Sequence, residues 1–390
     1  MQLVSLLLVL SPLVPWANAI CEHYGDTCPE QVPCCNSAGY CSNVAASCRV
    51  GCQAENSFSK DSCQPEPECL DMTDNFDANS LAPAANFSGN PKKSAWTSDF
   101  EPNRAEVKSS NLRLYMKKDS SQFNGSKGFG ATVSSVRFMD YGYAGAHVKT
   151  ASTSKGVVSS FIIKNEEGDE IDFEWVGKDP TKVQTNYYWD GYVDLNNYGS
   201  MEEFDVGGDT SQDFHFYELY WEPNEIRWLI DGKTVRTLSK KDTYSEIKKT
   251  FMYPYRPSRV QFSIWDGGND EKQGTRDWAG TPTDWSSPDT TYEMLVQEVK
   301  MTCFYKSNNT DPKDWPWDDM EKMTGSNAPP TGQPNSNGTS GSPGSGTHVA
   351  PLIPESEATQ SDNAATLFAS GVSTLGLVAM GLATALWQAC

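Results

Sequence analysis

Acidic and apolar residues alternate over one short stretch, residues 170–175. The acidic members are Glu170, Asp172 and Glu174, and the apolar members are Ile171, Phe173 and Trp175. A period of two predicts a β-strand with two chemically opposite faces, one in a hydrophobic core and one carrying a row of carboxyl groups. Carboxylates are poor strand formers and repel one another, and costs of this kind concentrate at functional sites.

A row of this kind suits the cleavage or transfer of glycosidic bonds. A retaining mechanism needs an ionised carboxylate as nucleophile and a protonated carboxyl as general acid, about 5–5.5 Å apart. Cα atoms four residues apart on a strand are separated by about 13 Å, and two long Glu side chains that lean together close most of that gap. Asp172 between them can hydrogen-bond one neighbour, and its charge pushes the pKa values of the two glutamates apart. The alternatives are a solvated acidic face or a calcium site, and the EF-hand ligand pattern does not fit this stretch.

The stretch resembles the Glu-x-Asp-x-Glu signature of family 16 glycoside hydrolases. The resemblance implies that Glu170 is the nucleophile, Asp172 assists it and Glu174 is the acid/base. It also implies a jelly-roll β-sandwich with a concave cleft. No metal or organic cofactor is expected.

Size, charge and cysteine content limit the other possibilities. The 390 residues are enough for one large domain with small additions. The net charge of -20 argues against nucleic acid as a partner, because phosphates need a basic surface, and it is compatible with neutral polysaccharides. Eleven cysteines, most of them in the first seventy residues, indicate an oxidising compartment.

The N-terminal part reads as a secretory signal followed by a cysteine-rich module. Residues 1–19 contain an apolar run and end in Ala17-Asn18-Ala19, which is typical of a cleaved signal peptide. Residues 20–68 are too few to build a sufficient core without disulfides. Spacing alone leaves 105 connectivities for the eight cysteines up to Cys63.

This module resembles the hevein-like chitin-binding module, through Cys34-Cys35 followed by Gly39-Tyr40-Cys41. The resemblance implies the pairs Cys21–Cys35, Cys28–Cys41, Cys34–Cys48 and Cys52–Cys63. Asn36 takes the polar position of the sugar site and Tyr40 keeps one stacking aromatic, but Ala38 and Ser47 replace the other two. Chitin binding and a purely structural disulfide knot therefore stay open. Cys69 has Cys303 as its remaining partner in the globular region, and their bond would join the two ends of the main domain.

Residues 69–305 are predicted to form an all-β sandwich. Strand-like runs recur with turn signals between them, and no long helical pattern occurs. His215 is interpreted as a core histidine, and Trp175, Trp221 and Trp228 as core tryptophans. Gln184 and Tyr188 share the phase of a strand face that reaches the cleft. Trp265, Trp278 and Trp285 lie near glycines and turn residues and are predicted as exposed sugar subsites, since aromatic rings stack on pyranose faces.

The tail differs in composition. Residues 306–363 are predicted to be a stalk, rich in Ser, Gly and Pro towards its end, and residues 364–390 a GPI signal that is removed, in preference to a retained membrane span. Asn363 is the first choice of attachment site and Ser356 the alternative. Four Asn-x-Ser/Thr sequons permit N-glycans, at Asn86, Asn124, Asn308 and Asn337.

Within family 16 the whole arrangement most resembles the fungal CRH cell-wall transglycosylases. The resemblance implies an enzyme that cuts chitin, holds the glycosyl unit on Glu170 and passes it to a β-glucan or chitin acceptor. It also implies a secreted protein in the cell wall and, through its GPI anchor, on the outer face of the plasma membrane. A plain β-glucanase or chitinase and a non-catalytic wall-binding protein are the competing hypotheses.

Overall fold

A computed structural model of the chain describes residues 21, 27–36, 40–43, 48, 52–63, 66–84, 87, 89–118, 127–191 and 201–305. The proposed signal peptide, stalk and GPI signal, and the asparagines of all four glycosylation sequons, lie outside these residues. Within these ranges, no helix has the length and apolar character needed to cross a membrane.

Nearly all the described regular structure is β. The strands are β1 Cys34–Cys35, β2 Cys41–Ser42, β3 Met72–Asp74, β4 Leu81–Pro83, β5 Trp96–Phe100, β6 Ala105–Lys108, β7 Asn111–Lys118, β8 Gly128–Phe129, β9 Thr132–Ser135, β10 Gly142–Lys149, β11 Val157–Lys164, β12 Glu170–Val176, β13 Lys182–Tyr188, β14 Glu202–Asp205, β15 His215–Trp221, β16 Glu225–Ile230, β17 Lys233–Ser239, β18 Tyr244–Ser245, β19 Thr250–Phe251, β20 Arg259–Asp266 and β21 Thr291–Cys303. In the described part of the chain, one α-helix, α1, covers Gln273–Ala279, and four short 3-10 turns cover Ala54–Asn56, Lys60–Ser62, Pro102–Arg104 and Lys240–Thr243.

Two large sheets form a sandwich, which confirms the predicted all-β class. Sheet I has the strand order β17-β16-β15-β10-β21-β7-β6, with β3 paired to β21 and β8 to β7. Sheet II has the order β14-β13-β12-β11-β20-β9-β5-β4. Neighbouring strands are antiparallel except for the β4–β5 pair. The predicted acidic strand is β12, an interior strand of sheet II.

The core lies between the two sheets and is rich in aromatic side chains. Trp175, Trp221 and Trp228 are fully buried in it, as predicted. The ring of Phe173 in β12 stacks with that of Phe161 in β11 and makes an edge-to-face contact with Tyr217 of sheet I. The apolar half of β12 therefore anchors that strand, and its acidic half faces away from the core.

Five disulfides join the described cysteines in the pairs expected from the sequence. Four stabilise the N-terminal module, Cys21–Cys35, Cys28–Cys41, Cys34–Cys48 and Cys52–Cys63. The fifth, Cys69–Cys303, links residues 234 positions apart and joins the start of the sandwich to the end of β21.

Candidate active site

The acidic strand is held on both of its edges and from the opposite sheet. In β11, Lys164 pairs with Glu170 and Ser160 with Glu174. On the other edge, Tyr188, Asn186 and Gln184 of β13 lie opposite the three acidic residues in turn. The indole N–H of Trp228 crosses the core and donates a 2.9 Å hydrogen bond to the carbonyl oxygen of Asp172. The backbone that carries the carboxyl groups is thus fixed before any ligand binds.

Glu170 has a cation beside it. Lys164 Nζ lies 3.1 Å from Glu170 Oε2, and both side chains are mostly buried. At this distance the ammonium group supplies a counter-charge next to the carboxyl group. Glu170 therefore has the environment that a nucleophilic carboxylate needs.

Glu174 and Asp172 have the opposite electrostatic character. Burial, strengthened by the negative charge of Glu170, raises the pKa of Glu174 to about 8. Asp172 is fully buried beside Glu170, and neither of its carboxyl oxygens accepts a hydrogen bond from a donor group of the described residues. Burial, followed by the charges of Glu170 and Glu174, raises the pKa of Asp172 well above its ordinary range. Glu174 therefore keeps its proton near neutral pH. In its protonated form, which the raised pKa favours, Asp172 is able to donate a hydrogen bond to Glu170.

Tyr188 and Asn186 of β13 lie beside the row of carboxyl groups, opposite Glu170 and Asp172. The Asn186 side-chain amide donates a 3.1 Å hydrogen bond to the Tyr188 hydroxyl. Burial and the charges of the neighbouring carboxyl groups raise the pKa of Tyr188, so its hydroxyl keeps its proton. Tyr188 lies directly opposite Glu170, where a neutral hydroxyl is available to the carboxylate or to a bound sugar.

An apolar cluster flanks Glu174. Val176 and Val158 share the acidic face of sheet II and pack with Trp265, Trp278 and Ala279. The two indole rings stack with centroids 5.7 Å apart. Trp278 Nε1 also donates a 2.7 Å hydrogen bond to Gln184 Oε1, and Gln184 is the cross-strand partner of Glu174.

A sequence profile of the glycosyl hydrolases family 16 matches residues 92–286, half of the chain, including all of β12. The chain belongs to glycosyl hydrolases family 16. It is 38% identical over 293 residues to Crh-like protein 2 of Aspergillus fumigatus, which covers 73% of this chain and 63% of that protein. It is 33% identical over 322 residues to the probable glycosidase CRR1 of Saccharomyces cerevisiae, which covers 70% of this chain and 73% of that protein.

One solved structure, that of the Apo Crh5 transglycosylase, is 26% identical with a TM-score of 0.49 and covers 62% of this chain and 89% of its own. The chain spans less than two thirds of Crh-like protein 2 and of Congo red hypersensitive protein 2 of S. cerevisiae, at 63% and 59% of their lengths. The resemblance inferred from Glu-x-Asp-x-Glu is thus confirmed at the level of the family and of Crh-like relatives.

The family-16 sandwich brings only some of the predicted subsite tryptophans to the acidic face. Trp285 packs in the core between the sheets, against Tyr292, and its indole N–H donates to Asp266. Its prediction as an exposed subsite is wrong, because the nearby glycine, Gly128, makes room for the ring inside the protein. Trp265 and Trp278 do lie beside the acidic strand, but only 7% and 4% of their surface is exposed, so the prediction that they are exposed is wrong as well, because they pack against each other and against Val158 and Val176.

His215 is the first residue of β15, is partly buried and pairs with Asp231, with Nδ1 2.8 Å from Oδ2. It packs against a core tyrosine ring, in line with a packing and hydrogen-bonding histidine. In the module, Tyr40 is half-buried and its backbone N–H donates to the Asn36 side chain. Three cysteine sulfurs of the module, from Cys21, Cys28 and Cys41, lie within 4.8 Å of one another, but all three are in disulfides and cannot serve as thiolate ligands.

Two supports of this family-16 site were not found from the sequence. Lys164 is the last residue of an apolar strand, and only the cross-strand register places it beside Glu170. Asp169, fully buried, accepts hydrogen bonds from the backbone N–H groups of Tyr255 and Arg256 and from the Arg256 guanidinium. It thereby fixes the turn that leads into the acidic strand. The sequence feature that could have identified Asp169 is its position directly before the alternating residues 170–175.

Proposed function

We propose that this protein is a retaining transglycosylase that cleaves chitin and transfers the enzyme-bound part of the chain to β-glucan or chitin acceptors in a fungal cell wall. The observation that carries the proposal is the division of charge along one strand. Glu170 is ion-paired with Lys164, while burial keeps a proton on Glu174 two residues beyond Asp172. These are the two protonation states that a retaining mechanism requires at its start.

The first step uses both states. The Glu170 carboxylate attacks the anomeric carbon and forms a covalent glycosyl ester, while the glycosidic oxygen leaves with the proton of Glu174. Asp172 donates its hydrogen bond to Glu170 and so orients it. In the second step Glu174, now a carboxylate, takes the proton of an incoming hydroxyl group, whose oxygen attacks the anomeric carbon and releases Glu170.

The choice of acceptor decides between transfer and hydrolysis. Val158, Val176, Trp265 and Trp278 pack into a nearly fully buried apolar cluster beside Glu174. An apolar wall of this kind disfavours water next to the acid/base and so favours a sugar acceptor. Gln184, held by Trp278, and Tyr188 are placed to hydrogen-bond sugar hydroxyls. These contacts support transfer as the main reaction.

The first experiment incubates the purified full-length protein with a chitin oligomer and a fluorescent β-glucan acceptor, and separates the products by size. A labelled product larger than the acceptor, absent with Glu170→Gln, is expected. Glu246→Gln is the matched control, because Glu246 is an exposed acid that pairs with Lys249 on the surface. Shortened chitin without a larger labelled product would make the protein a hydrolase, and absence of turnover would favour a wall-binding role.

The proposal extends to the location of the enzyme. Secretion, N-glycans at the four sequons, and GPI attachment at Asn363 or Ser356 would place the site at the outer face of the plasma membrane and in the wall. Chitin binding by the module through Tyr40 and Asn36 would hold donor chains near the site. Release of the protein from cells by a phosphatidylinositol-specific phospholipase tests the anchor, and retention after that treatment would count against it.

A further inference from the structure

The face of sheet I that points away from the core carries aromatic side chains that the catalytic proposal does not use. Tyr143 of β10 lies opposite Tyr220 of β15, with ring centroids 4.6 Å apart. Further along the same two strands, His147 lies against Phe216, with ring centroids 4.5 Å apart. All four side chains are partly exposed. We call these four residues the outer aromatic surface.

A glycine lies between the two aromatic pairs. A Cβ atom at Gly145 would lie 2.3 Å from the Tyr143 hydroxyl oxygen and 2.8 Å from Phe216 Cζ. The two side chains therefore extend over the strand backbone towards each other. Glycine weakens the interior of a strand and commonly marks such a close approach. Its presence here makes the two pairs one continuous surface.

A buried carboxyl group lies at the centre of this surface. Glu218 is the cross-strand partner of Gly145 and points outward, because its neighbours Tyr217 and Leu219 enter the core. It is only 7% exposed. The Tyr143 hydroxyl donates a 3.0 Å hydrogen bond to Glu218 Oε1, while Oε2 has no partner among the described residues. A buried oxygen without a donor is costly, and a ligand hydroxyl would satisfy it.

Hydrogen-bonding groups border the aromatic rings. A depression of about 270 Å³ adjoins Tyr143 and is lined by Asp71, Thr73, Lys300 and Thr302, among others. Lys300 Nζ also lies 5.8 Å from the centre of the Phe216 ring. On the far side, the guanidinium of Arg227 lies 4.5 Å from the centre of the Tyr220 ring. The edge of the aromatic surface thus offers donors and acceptors to hydroxyl groups.

We propose that the outer aromatic surface, with Glu218 and the adjoining depression, is a second, non-catalytic binding site for a neutral β-linked polysaccharide chain. Aromatic rings take the apolar faces of pyranose units, while the carboxylate, hydroxyls and amine take their hydroxyl groups. An apolar protein partner would leave Glu218 Oε2 unpaired, and an anionic partner would meet a carboxylate at the centre. The site lies on sheet I, across the core from the acidic strand on sheet II, so a chain held there leaves the catalytic face free.

The second site rests on the proposed function only for the choice of ligand, the neutral β-linked polysaccharides of the cell wall. The test measures binding and transfer separately, with the full-length protein. Affinity electrophoresis in gels that contain a soluble β-1,3-glucan or glycol chitin measures binding, in a Glu170→Gln background that prevents turnover. Transfer between short oligomers is measured in the otherwise native chain. The N-terminal module is present in every variant, so its contribution is constant.

Phe216→Ala and Tyr220→Ala together are expected to weaken binding to at least one polymer about tenfold, equivalent to about 1.4 kcal/mol. Transfer between short oligomers is expected to stay unchanged. Phe251→Ala is the matched control, because Phe251 forms a cross-strand aromatic pair with Tyr244 elsewhere, with ring centroids 5.2 Å apart. This control is expected to bind both polymers as the parent does.

Thermal unfolding shows whether the alanine variants are folded. Glu218→Gln keeps the shape of the side chain, so it tests the site even if the alanine variants fail to fold. It is expected to weaken polymer binding by severalfold. Parent-like binding of both polymers by folded alanine and Gln variants would overturn the inference, as would an equal loss in Phe251→Ala. If polymer binding falls as expected while the native chain transfers nothing, the second site stands and the proposed function fails.

Discussion

Replacing Glu174 with Gln is expected to stabilise the folded protein at alkaline pH while removing its activity. Burial first, and then the charge of Glu170, raises the pKa of Glu174 from an ordinary 4.5 to about 8. A carboxyl group with a higher pKa in the folded state binds more protons there than in the unfolded chain. Its contribution to stability is therefore complete below pH 4.5 and is lost progressively as the pH rises to about 8.

The size of this effect follows from the difference between the two pKa values. At about 1.4 kcal/mol per pKa unit, ionisation of Glu174 costs the folded protein at most about 5 kcal/mol by pH 8. Asp172 responds to the same charges, so the part removed by a change at Glu174 alone is expected to be about 2–4 kcal/mol. Gln resembles the protonated acid in shape and does not titrate.

Denaturant titrations followed by tryptophan fluorescence at pH 4.5 and pH 8 measure the difference. The two proteins are expected to be equally stable at the lower pH, and Glu174→Gln more stable at the higher pH. Transglycosylation by the variant is expected to fall about 10²–10⁴-fold, as for loss of a general acid. Glu246→Gln, on the exposed surface, is expected to show no such pH dependence. A stability difference between wild type and Glu174→Gln that is constant with pH would refute the reasoning.

Three further predictions concern residues that hold the site and the sandwich in place. Lys164→Met removes the cation beside Glu170 and is expected to lower kcat at pH 6 by about 10–100-fold, with partial rescue by Lys164→Arg; an unchanged rate would show that the ion pair is not used. Trp228→Phe removes an indole N–H donor that crosses the core and is expected to cost about 1–3 kcal/mol in denaturant titrations; a wild-type midpoint would contradict this. Cys69→Ser with Cys303→Ser opens a loop of 234 residues and is expected to cost about 2–5 kcal/mol, measured by calorimetry, whereas an unchanged Tm would show that strand pairing alone closes the sandwich.

The acidic strand was predictable because its two faces differ so strongly in chemistry. Ile171 and Phe173 permit one register in which the apolar side chains enter the core, and that register fixes the side on which the carboxyl groups lie. The same alternation predicted that Gln184 and Tyr188 reach this face. They do, opposite Glu174 and Glu170 respectively. Local periodicity was therefore sufficient to predict the face of the sheet on which a side chain lies, because that depends on one strand alone.

Features that depend on contacts between distant strands were not predictable in this way. Trp265 and Trp285 both lie near glycines and turn residues, yet one packs beside the acidic strand and the other inside the core. Nothing local separates them, because the difference lies in which face of sheet II each ring lies on. Lys164 likewise acts on Glu170 only through the register of β11 with β12.

Three carboxyl groups on one buried strand are tolerable because they do not all carry charge. Glu174 keeps its proton near neutral pH, the raised pKa of Asp172 favours its neutral form, and Lys164 lies beside Glu170 as a counter-charge. The proposed mechanism would preserve this balance. As Glu170 became a neutral ester, Glu174 would give up its proton, so one negative charge would move along the strand and none would be added. Repulsion between the carboxyl groups therefore has a role in the proposed mechanism. It favours states in which one of the two glutamates is ionised, and the position of that charge changes from Glu170 to Glu174 when the covalent intermediate forms.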